Sequence, residues 1–101
     1  MAIDIFCYSS LSMEEIEGIV RPLIKKHPDI FLEKFLISRA SKTSAGEEEF
    51  ALDYDFHANS IFLIHVNDKN ATNLVPEVAE IMKFTFGASR VLMLIENELR
   101  L

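Results

Sequence analysis

The chain is poor in the residues that mark several protein classes. It has one cysteine in 101 residues, so an internal disulfide is impossible and a disulfide-stapled secreted domain is excluded. No apolar run approaches the roughly 20 residues that a membrane span needs, and the start, MAIDIF, lacks the basic and apolar regions of a signal peptide. A soluble, cytoplasmic protein is the expectation. Only three glycines are present, Gly18, Gly46 and Gly87. They are far apart, so neither a GxGxxG loop nor a P-loop can be built. No CxxC, HExxH or G-x-S-x-G pattern occurs, and no cofactor is expected. Positive charge is also scarce: ten Lys and Arg face sixteen Asp and Glu, giving a net charge of -6. That balance argues against sequence-independent binding of nucleic acid, which needs clustered cations.

Half of the residues are hydrophobic, too many for a disordered tail. A chain of this length forms a single domain, here residues 1–101. It buries roughly 65% of its unfolded surface, enough for one core. Ala2 to Tyr8 reads as a strand, with Ile3, Ile5 and Cys7 on one side and Asp4, Phe6 and Tyr8 on the other. Ser12-Met13-Glu14-Glu15 is a capping box, stapled by Leu11 and Ile16. The helix it opens carries an apolar stripe of Ile16, Ile19, Val20, Leu23 and Ile24. Pro22 predicts a bend or split, and Pro28 ends the helix. Residues 28–33 fit a helical turn or an extended lead-in.

Lys34 to Ser41 reads as a strand, followed by a polar turn over 42–47. In Glu48 to His57, Phe50, Leu52, Tyr54 and Phe56 alternate with polar residues, the pattern of a half-buried strand. Ala58-Asn59-Ser60 is a tight turn. Ile61 to Val66 is a central strand, and 67–70 is a loop. A second helix is expected over Leu74 to Phe86, with Asn73 as N-cap and Gly87 as C′ residue. Arg90 to Ile95 is the last strand, and Glu96 to Leu101 fray. The resulting order is β-α-β-β-β-α-β. It implies an α/β (α+β) two-layer sandwich: a five-stranded mixed sheet with both helices on one face, and a three-strand antiparallel meander between two β-α-β units.

Two constellations could carry function. Asp53, Asp55 and His57 would share one strand face, roughly 7 Å from one to the next. A three-residue turn would bring His65 opposite Asp53, and the four together could bind a divalent metal or support acid–base chemistry. A two-residue turn would not. Within residues 47–55, Glu47, Glu48, Glu49, Asp53 and Asp55 are five carboxylates with no basic residue among them. Such a strip fits either a solvated strand or the docking of a basic protein, since complementary charge speeds and orients association. Cys7 would need a lowered pKa to act as a nucleophile; in an apolar strand it reads as core. Phe84 lies off the buried stripe of the second helix. It marks a partner surface or packs beneath the last strand.

The run Glu47-Glu48-Glu49, the Asp53-x-Asp55 segment, the α/β order and the length together resemble the small acidic immunity proteins of bacterial toxin systems, including those of contact-dependent inhibition. The resemblance implies a protein that is not an enzyme. Its partner would be a cognate basic toxin, a nuclease, bound in the cytoplasm by occlusion. The charge pattern, not the resemblance, places Glu47, Glu48, Glu49, Asp53 and Asp55 at the contact. Two other classes remain open on the residues alone. One is a small metal- or ligand-binding module or enzyme using Asp53, Asp55, His57 and His65. The other is an oligomerising adaptor domain that pairs by a strand edge.

Overall fold

A computed structural model describes residues 3–101. Strand β1 spans Ile3–Ser9; Ala2, where the sequence places its start, lies outside the described residues. Helix α1 (Met13–Lys26) opens with the expected capping box. The Ser12 hydroxyl accepts from the Glu15 amide at 3.2 Å, and the Glu15 carboxylate accepts from the Ser12 amide at 3.1 Å. Helix α1 is not split at Pro22, which lies inside it. Pro22 is exposed, and its ring costs one backbone bond to Gly18, whose missing side chain leaves open space. The break falls instead at His27, and Pro28 opens a one-turn helix α2 (Pro28–Phe31). This settles the open choice over 28–33 in favour of a helical turn.

The expected strand 34–41 is divided into β2 (Phe35–Ile37) and β3 (Ser41–Lys42). Both pair with β4 (Ser60–Val66) along the same edge. At the gap, the Ser38 hydroxyl accepts from the Leu63 amide at 2.8 Å, and the Glu17 carboxylate accepts from the Ala40 amide at 3.3 Å. The side chains thus satisfy an interrupted edge and blunt it.

The largest departure from the sequence reading is the segment 48–57. It is not a strand. Helix α3 spans Ala45–Leu52, opened by a second capping box: the Ser44 hydroxyl accepts from the Glu47 amide, and the Glu47 carboxylate from the Ser44 amide. Two hydrogen bonds close it, Phe56 N–H to the Ala51 carbonyl and Asp55 N–H to the Leu52 carbonyl, with Asp55 at φ 60°. That is a Schellman motif with aspartate at the left-handed position. Helical rather than alternating geometry explains why Leu52 is 49% exposed while Ala51 is fully buried.

Beyond β4, a 3₁₀ helix (Lys69–Leu74) replaces the expected loop and feeds α4 (Val75–Phe86). Leu74, not Asn73, holds the N-cap position. Gly87 ends α4 at φ 95°, as expected. Strand β5 (Val91–Ile95) follows. The chain does not fray after it: Glu96 and Asn97, both at positive φ, make a type I′ turn into β6 (Leu99–Arg100).

The sheet order is β2-β4-β1-β5-β6, with β3 also on β4. Six strands therefore replace the expected five, and every adjacent pair is antiparallel rather than mixed. The expected meander does not form, because its middle strand is α3. Strands β1 and β2 run parallel but are separated by β4, and β4 and β5 run parallel but are separated by β1. This is the split β-α-β arrangement.

The pleat sends Ile5, Cys7, Phe62, Ile64 and Met93 to one face, where α1, α2 and α4 bury them. Tyr8, Ile61, Leu92 and Leu94 point to the other face, where Ala51, Phe56 and Ala58 cover them. The two-layer expectation is thus corrected. A third, partial layer exists because α3 takes the second face.

Candidate functional site

Helix α3 and the turn after it carry all five carboxylates of the acidic strip, on a helix instead of a strand. They are not equivalent. Glu47 shares the inward stripe with Phe50, Ala51 and Tyr54; its carboxylate caps the helix at 2.8 Å. It also lies near Tyr8, whose phenol is pushed up in pKa, mainly by burial and further by the Glu47 charge, against a lowering hydrogen bond to Asn97. Glu48 accepts from the Thr43 hydroxyl at 3.2 Å. Glu49, Asp53 and Asp55 are exposed. Among the described residues the sole ion pair is His65–Asp4, so no cation neutralises any of the five.

The helix is held firmly. Buried Thr43 shares its single hydroxyl proton between Glu48 and the Ala58 carbonyl, the latter at 3.3 Å. The Asn59 amide donates to the Ser9 carbonyl at 2.8 Å, and its side chain to the Ser10 carbonyl at 2.7 Å. Tyr8 and Phe50 rings lie 5.9 Å apart, and Phe50 and Tyr54 5.7 Å. An acidic ridge therefore stands on a rigid base.

The structure does not assemble the alternative metal set. Asp53, Asp55 and His57 follow a helix end and lose their common strand face. His65, on β4, pairs across the sheet with Asp4 of β1, Nδ1 to Oδ1 at 2.8 Å. Among the described residues no group of three or more His, Cys, Asp and Glu is placed to hold a metal ion. Cys7 is fully buried and burial raises its pKa, the opposite of an activated nucleophile.

The sequence reading missed an uncovered part of the second sheet face. Coverage by α3 fades along the strands. Ile61, Tyr8 and Leu92 form a buried row; in the next row Leu94 is buried while Leu63 and Phe6 are half-buried; in the last, His65 and Asp4 are half-buried and Leu36 is exposed. Leu36 is 42% exposed. Only the register reveals this row, because its members come from three separate strands.

Comparison with known proteins gives consistent matches. The CDI System Immunity Component family matches residues 1–99. Immunity protein CdiI-2 of Burkholderia pseudomallei (strain 1026b) is 36% identical over 100 residues, covering 99% of each chain. A chain of the CdiA-CT/CdiI toxin and immunity complex from Burkholderia pseudomallei superposes with a TM-score of 0.93 at 35% identity. The match covers 97% of this chain and 95% of that one. The antiparallel sheet and its flanking helices agree with these matches, and the chain belongs to the family of CDI system immunity components.

Proposed function

We propose that this protein neutralises a cognate toxin by covering its active or substrate-binding surface, and that the contact is made by the acidic ridge of α3. The observation that carries the reading is the set Glu47, Glu48, Glu49, Asp53 and Asp55, gathered on one rigid helix and its closing turn, with no cation paired to them among the described residues. The toxin surface is basic. A nuclease fits that description, because it must hold phosphates with Lys and Arg, and a ridge of carboxylates mimics the phosphates. The complex forms in the cytoplasm. Its relatives support this reading, since the similar solved chain comes from a toxin and immunity complex.

The three free carboxylates separate binding from folding. Replacing Glu49→Gln, Asp53→Asn and Asp55→Asn together removes charge and leaves both bonds of the Ser44 cap intact. Each exposed charge contributes about 0.3–1 kcal/mol, so the triple variant binds toxin roughly 5- to 150-fold more weakly. Most of the loss falls on the association rate, and the dependence of that rate on salt shrinks. Surface plasmon resonance against the catalytically inactivated toxin measures both. Unchanged affinity and salt dependence would remove α3 from the contact.

A further inference from the structure

The sheet face opposite α3 carries the helical layer, and on it stands Phe84, 89% exposed. It does not pack beneath the last strand. It forms one wall of a groove of about 620 Å³ between α1 and α4, whose apolar lining also includes Ile19, Pro22, Leu23 and Ile81. Lys26 and Glu80 line the same groove, and among the described residues neither belongs to an ion pair. A protruding aromatic ring, an apolar groove, the Lys26 cation, the Glu80 anion and the His27 imidazole thus share one patch.

We infer that this patch pairs with a second copy of the chain in a two-fold dimer, each Phe84 seated in the groove of the other. A two-fold interface demands a surface complementary to itself: if one residue meets a second, the second must meet the first. Knob and groove side by side satisfy that demand for shape. Lys26 of one copy against Glu80 of the other satisfies it for charge, twice per dimer. Charge also explains why this face and not another makes the contact. A chain of net charge -6 repels its copy at the α3 ridge. The groove balances Lys26 against Glu80, and it lies on the far side of the sheet. The dimer therefore keeps the two acidic ridges apart and leaves both open. The inference is independent of which partner the ridge binds.

The test is sedimentation equilibrium of the full chain from micromolar to millimolar concentration. The mass should rise from 11.5 kDa towards twice that value. Phe84→Ser should hold it at the monomer value, with an unchanged circular dichroism spectrum because the ring makes little contact with its own chain. Lys26→Glu should also give monomers, and Lys26→Glu combined with Glu80→Lys should restore the dimer. A single monomer mass at every concentration would overturn the inference, as would a dimer that survives Phe84→Ser. So would a monomeric wild-type chain whose capture of toxin is lost with Phe84→Ser, since the groove would then belong to the toxin.

Discussion

Asp55 offers a substitution whose sign depends on the backbone around it. It sits at φ 60°, in the left-handed region, and its amide donates to the Leu52 carbonyl to close α3. Its side chain is exposed and has no hydrogen-bond partner among the described residues, so substitution acts through the backbone and the lost charge alone. The left-handed conformation costs an ordinary L-residue about 1–2 kcal/mol, with aspartate among the least penalised. Asp55→Gly removes that cost but adds unfolded-state entropy, for a net gain of about 0.5 kcal/mol. Asp55→Val places a β-branched side chain where it is an outlier and costs about 2 kcal/mol. The two variants should therefore differ by about 2–3 kcal/mol, glycine the more stable. If residues 48–57 were a strand, the order would reverse, with valine favoured over glycine by about 1 kcal/mol. Urea unfolding followed by far-ultraviolet circular dichroism suits a chain without tryptophan. With a slope of about 1–2 kcal/mol per molar, the midpoints should separate by about 1 M or more. A valine variant as stable as the glycine variant would refute both the Schellman turn and the helix it closes.

Other expectations are simpler to state. Ser44→Ala removes the acceptor for the Glu47 amide and should cost about 1 kcal/mol, lowering the melting temperature by about 4–8 °C; no change would mean that the cap does not form in solution. Cys7, buried and raised in pKa, should resist a maleimide at pH 8 in the native state and react only as fast as the chain opens. Rapid labelling of the folded protein would contradict its place in the core.

The parts of the fold legible in the sequence are those where local and tertiary signals agree. Ser12 and Glu15 announce α1, the alternation of Ile3, Ile5 and Cys7 matches the pleat of β1, and Gly87 ends α4 where only a glycine sits easily. The segment 48–57 reads as a strand although it holds a helix and its closing turn, because its apolar residues fit both periods. Phe50 and Tyr54 lie on one face of a strand, but four residues apart they also share a face of a helix. Leu52 and Ala51 distinguish the two, and only burial shows which of them is inside. The deciding local signal was present: Ser44 and Glu47 repeat the spacing of Ser12 and Glu15. Ala45-Gly46 between them disguised it as a turn, and Asp55 disguised the helix end that glycine usually marks. The charges of the candidate site were legible as a cluster, because they are close in sequence whatever the local structure. Their division into capping and free carboxylates was not, and neither was the His65–Asp4 pair, which depends on strands about sixty residues apart.

Strand β1 lies between β4 and β5, bonded to Val66 at one end of its register and to Ile95 on its other side. Strand β1 leaves the ribosome before both of its neighbours and waits for them. At about 5–20 residues per second, it spends several seconds with two unpaired edges while α1, which folds locally, is already complete. Pairings this distant in sequence also slow folding itself. A nascent chain that has not yet released β5 has half its central strand unmet, so binding competence should arrive in one late step instead of growing with length. For a protein whose work is to meet a toxin, the interval between translation and protection is set by the position of one strand in the sheet.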